Sequence, residues 1–75
     1  MSYILVADID KNYYKIGRKI NINSIKNIKT TMLELVKELK GNNVYKINDN
    51  IDLTNLYVYT PDLTEIISFE IVEIV

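Results

Sequence analysis

Seventy-five residues, 48% of them hydrophobic and 25% charged, with a net charge of −1, are enough for one folded domain with a thin core. The chain has no cysteine and no histidine. That excludes disulfides, thiolate zinc sites, and the commonest general base, metal ligand and pH switch near neutrality.

Residues 2–9, Ser-Tyr-Ile-Leu-Val-Ala-Asp-Ile, are apolar on both faces until Asp8, which predicts a central strand. The apolar stretch Tyr3–Ala7 is too short for a signal peptide or for the roughly 20-residue helix that spans a bilayer. A cytoplasmic protein without membrane contact is therefore expected. Abundant isoleucine, lysine and asparagine suit an AT-rich genome. Asp10-Lys11-Asn12 is turn chemistry. In the next run Tyr14, Ile16, Ile20 and Ile22 alternate with Lys15, Lys19 and Asn21, with Arg18 an exception on the apolar face and Gly17 a candidate bulge. The two strands should form a hairpin.

A helix is predicted over 24–40. Asn23 or Ser24 can cap it, because a side-chain oxygen there accepts an otherwise unbonded backbone N–H. Ile25, Ile28, Met32, Leu35, Val36 and Leu39 form one stripe at the helical period. Gly41 suits the C-cap, with Lys37 and Lys40 near the negative end of the dipole. Val44–Ile47 reads as a short strand, residues 48–52 as a polar loop, and Leu56–Thr60 as a strand closed by a Pro61-Asp62 turn. In the final run, 65–75, Ile67, Phe69 and Ile71 share one face and Val72 and Ile74 the other, which predicts a bulge near Glu70 or Val72. Residues 1–75 thus form a single α+β domain: one amphipathic helix packed on a four- or five-stranded antiparallel sheet, in the order ββαβββ.

Charge is unevenly spread. Residues 1–46 hold nine bases and four acids, a net +5, and residues 47–75 hold six acids and no base, a net −6. Two sets of contact residues follow. The first is a C-terminal sheet face of Tyr57, Tyr59, Asp62, Glu65, Glu70 and Glu73, the acids steering toward a basic or nucleic-acid-handling protein and the tyrosines supplying anchors. The second is a nucleic-acid surface of Lys11, Lys15, Arg18, Lys19, Lys26 and Lys29. Direct nucleic-acid binding is the weaker expectation, because a pI near 5.2 gives poor long-range steering toward phosphate. Leu33 off the helical stripe and an edge at Ile71–Val75 would favour a homodimer by strand addition.

Tyr3-Ile4-Leu5, followed after an interval by Tyr14-Lys15-Ile16-Gly17-Arg18 and then a helix, resembles the opening hairpin of GIY-YIG nucleases. The resemblance implies an arginine early in that helix and a later metal-binding glutamate. Here the helix opens Ser24-Ile25-Lys26-Asn27, and the later acids fall on expected strands and loops. A copy of that family with these residues would be catalytically dead. Asp8 with Asp10, and Glu70 with Glu73, read as surface acids rather than an acid–base pair. The expectation is a non-catalytic, cofactor-free protein-binding module, such as a small inhibitor or adaptor of phage or mobile-element type.

Overall fold

β1 (Ser2–Ile9), β2 (Tyr14–Ile20), α1 (Ile25–Lys40), β3 (Lys46–Ile47), β4 (Leu56–Tyr59) and β5 (Ile66–Ile74) follow one another in a computed structural model that describes residues 2–9, 14–41, 44–48 and 50–74. The strands form one antiparallel sheet in the order β2-β1-β5-β4-β3, with α1 on one face. The α+β expectation holds, with five strands. β1, apolar on both faces, lies between β2 and β5 as its sequence predicts. The Asp10-Lys11-Asn12 turn lies outside the described residues.

Ser24 is the cap. Its Oγ accepts the Asn27 N–H at 3.1 Å, while Asn27 Oδ1 accepts the Asn21 N–H at 2.8 Å, so the entry turn and the first helical turn hold each other. At the other end the Gly41 N–H donates to the Lys37 carbonyl, and Gly41 has φ +78°, a conformation that suits glycine. Ile28, Met32, Leu35 and Val36 are buried against Leu5, Ala7, Leu56, Val58, Ile67 and Phe69. The predicted stripe is off at one end: Ile25 is 42% exposed, and Thr31 is buried instead. The Thr31 hydroxyl donates to the Asn27 carbonyl at 2.8 Å, so a polar residue tolerates this position.

Both predicted bulges are absent. Gly17 pairs with Val6 in unbroken register, and a Cβ there would stand 3.1 Å from Ile4 Cδ1, so the glycine makes room for a neighbouring side chain. β5 pairs with β1 from Ser2↔Ile74 to Asp8↔Ser68 without interruption. Its apolar pattern changes phase because it has apolar residues on both faces, not because the ladder slips. β5 lies between β1 and β4, but β4 flanks only Ile66–Phe69, so Glu70–Ile74 pairs with β1 alone and its other side is an open edge, as expected for Ile71–Ile74. β3 is two residues long, with Val44 outside it and exposed.

Replacing Leu35 with Ala should cost about 2–5 kcal/mol in urea denaturation, because it opens a cavity in this one layer of core. Ile25→Ala should cost less than about 1 kcal/mol. Equal losses would contradict the burial pattern.

Candidate docking face

Residues opposite one another in an antiparallel register share a face, so the ladders assign every strand side chain to one side of the sheet. Leu5, Ala7, Arg18, Ile20, Leu56, Val58, Ile67, Phe69 and Ile71 lie on the helix side. The other side carries Ile4, Val6, Gly17, Lys19, Lys46, Tyr57, Tyr59, Ile66, Ser68, Glu70, Val72 and Ile74. Among the described residues no element packs over it. Val6 is buried there without belonging to the helix-side core, whereas Val72, Ile74 and Ile66 are exposed, Ile66 at 60%.

One end of this open face is hollowed into a cleft of about 490 Å³, lined by Asn48, Asn50, Asn55, Tyr57, Tyr59, Leu63 and Ile66. The Tyr57 and Tyr59 rings, two residues apart on β4, lie 6.1 Å between centroids and are tilted by 44°. Asn48 is buried and forms the floor. Its side chain donates to the Asn55 carbonyl at 3.1 Å and accepts the Tyr57 N–H at 3.3 Å, while its backbone N–H donates to the Tyr57 carbonyl at 3.3 Å, which extends the β3–β4 pairing by one residue. From the sequence alone Asn48 looks like an ordinary polar-loop residue.

Two turns at the ends of β4 share the sequence Asp-Leu-Thr, at 52–54 and 62–64. In each, one aspartate oxygen accepts both the backbone N–H and the hydroxyl of the threonine two residues on. Asp62 also accepts the Thr60 hydroxyl at 2.7 Å, and the Leu63 N–H donates to the Thr60 carbonyl at 2.8 Å, as a Pro61-Asp62 turn requires. The leucine between is pushed outward: Leu63 is 66% exposed and has φ +61°. A branched apolar residue in left-handed backbone costs on the order of 1 kcal/mol over glycine or asparagine. Repetition of Asp-Leu-Thr was the signal in the sequence for these turns.

The structure gathers only part of the acidic set. Tyr57, Tyr59 and Glu70 share the open face, while Glu73 stands on the opposite side of β5. Asp62 is engaged in its turn. Glu65 pairs with Lys40 at 2.9 Å, joining the helix C-terminus to the start of β5. Of the basic set, Arg18 reaches from β2 to Glu38 on the helix, which explains a charge on the apolar face. Lys19 lies on the open face and Lys26 and Lys29 on the helix. Lys11 is outside the described residues, and Lys15 pairs opposite Asp8 in the register. The two halves of opposite charge therefore do not become two charged flanks, because the fold interleaves them. Among the described residues no three acidic side chains gather into a cation site, and no helix is long and apolar enough to cross a membrane. Compared with protein-family models, curated proteins and solved structures, the chain has no match.

The carboxyl of Glu65 is held below its ordinary 4.5, first by the Lys40 ammonium and then by the Tyr45 hydroxyl. Asp62 is lowered from 3.8 by the Thr60 and Thr64 hydroxyls, and Asp52 from the same value by Thr54. Groups with depressed folded values contribute stability that is fully present above the unfolded pKa and disappears as pH falls through the folded one. Melting temperature should therefore be flat above about pH 5 and fall below it. Glu65→Gln should remove part of that fall, which a thermal series from pH 7 to 2 would reveal.

Proposed function

We propose that the chain is a non-catalytic protein-binding module, an inhibitor or adaptor, that meets its partner with the open face of its sheet. The observation that supports this most is an apolar and aromatic surface, Tyr57, Tyr59, Leu63, Ile66, Val72 and Ile74, left uncovered on the side away from the helix. Tyr57, Tyr59, Leu63 and Ile66 cluster at the cleft, and Val72 and Ile74 lie farther along β5 beyond Ser68 and Glu70; clustered exposed apolar area marks interaction surfaces, and tyrosine is enriched among their anchors. Charge has a smaller part than the sequence suggests. Glu70 and Asp8 stand on this face with Lys19 and Lys46, so association should depend on desolvated anchors more than on steering. Of the contact residues predicted from sequence, Tyr57, Tyr59 and Glu70 remain in this surface. Co-purification from the native host tests it. Tyr57→Ser with Tyr59→Ser should cut the captured partner at least tenfold, while Lys26→Glu with Lys29→Glu on the helix should leave it unchanged. Retention by the tyrosine variant would count against the face.

A second reading has one observation in its favour. Lys26, Lys29 and Lys37 fall with Leu33 on a single stripe of α1 facing away from the core. Three such cations on a nucleic acid backbone would give a salt slope of about −3 in log–log terms. Mobility shifts with single- and double-stranded probes at low salt check this, and absence of any shift removes it.

A further inference from the structure

The open-face cleft is lined by tyrosine, leucine, isoleucine and asparagine and by no charged side chain. The lining thus offers no charge to complement a phosphate, an acidic or basic peptide or a metal ion, and an occupant uncharged where it makes contact fits it best. The cleft also lies over β4, whose backbone is occupied on both edges: β5 takes Leu56–Tyr59 on one side, and β3 with the Asn48 side chain takes Tyr57–Tyr59 on the other. A peptide entering here meets side chains only. An ordinary extended strand would find no backbone acceptor here for its regularly spaced N–H groups, only a few side-chain oxygens, and each N–H left unbonded is costly.

A proline-rich segment avoids that difficulty. Its polyproline II backbone has no internal hydrogen bonds, its prolines have no N–H, and its carbonyls turn outward to accept from side-chain donors. The lining offers such donors in the tyrosine hydroxyls and the Asn50 and Asn55 amides, since the Asn48 amide is already engaged. The tilted Tyr57 and Tyr59 rings make a V, with Leu63 and Ile66 as its aliphatic wall, the kind of aromatic groove that packs against prolyl rings. The volume falls within the range of about 300–1,000 Å³ usual for ligand sites. Leu63 adds an independent sign. Its backbone conformation and its exposure both argue against leucine for stability, so the residue is better explained by contact with something outside the chain.

We propose that this cleft receives a neutral, proline-rich extended segment of a protein partner, and that Leu63 is kept in left-handed backbone for that contact. The inference rests on the docking reading above and names the chemistry of its partner.

The test is a titration of the ¹⁵N-labelled protein with an end-blocked peptide of repeating Pro-Pro-Leu. A Gly-Ser peptide of equal length and maltotetraose serve as controls. Saturable shifts at Asn50, Asn55, Tyr57, Tyr59, Leu63 and Ile66 with the proline peptide alone are expected. Leu63→Asn should weaken that binding at least fivefold while leaving the melting temperature unchanged or raised. No shifts at millimolar peptide, equal shifts with either control, or a destabilised Leu63→Asn that binds as well as the original would each overturn the inference. If the proline peptide fails while the tyrosine variant still loses its co-purified partner, only the chemistry named here falls. If that variant keeps its partner as well, the docking face falls with it.

Discussion

One 16-residue helix has to cover a sheet of five strands, and it can cover only one side. Such a helix is about 24 Å long and 10–12 Å wide, and the sheet is about 19 Å across, so the helix and one sheet face close a single layer of core. Each β-strand residue is then sorted by parity alone. Odd positions of β1 and β5 contribute Leu5, Ala7, Ile67, Phe69 and Ile71 to that layer, and even positions are left on the far side. The register is fixed because a slip of one residue would carry Leu5 and Phe69 out of the core together. Ion pairs stand at the margins of the layer rather than in it: Arg18 to Glu38 where β2 approaches the helix, and Lys40 to Glu65 where the helix ends. Both remain partly exposed to solvent, so they fix placement more than they stabilise.

Much of this arrangement is visible in the residues themselves. Ser24, the stripe from Ile28 to Leu39 and Gly41 mark a helix, and a run apolar on both faces marks β1 as central. Two kinds of feature are not. Pairing between strands distant in sequence decides which charges meet. Thus Glu65 answers Lys40 across the two halves, and Glu70 shares the open face with Lys19 and Lys46, so the acidic and basic halves interleave instead of separating. No linear charge count contains that information. The second kind is the phase change in β5. Ile67, Phe69 and Ile71, then Val72 and Ile74, look like a bulge when one face is assumed to be solvated. The ladder is unbroken, and the physical cause is an apolar far face.

That far face connects the fold to the proposed docking role. The Asp-Leu-Thr turns hold β4 at both ends, and the second raises Leu63 beside Tyr59 and Ile66. Asp62, which the sequence offers as a contact residue, instead acts on the backbone: its carboxylate organises the turn that presents a leucine. Stability sacrificed at Leu63 and apolar area left at Ile66 lie side by side at the cleft, which is where a binding surface and an optimal fold are expected to disagree.

Ile66 and Ile67 are neighbours on β5 that point to opposite sides, one 60% and the other 3% exposed. Urea denaturation of Ile66→Ala and Ile67→Ala tests the one-sided core directly, since both changes remove the same atoms from the same strand. Ile67→Ala should cost about 2–5 kcal/mol and Ile66→Ala less than about 1 kcal/mol. Losses of similar size at the two positions would mean that the far face is packed as well, contradicting both the single-layer core and the free surface built on it.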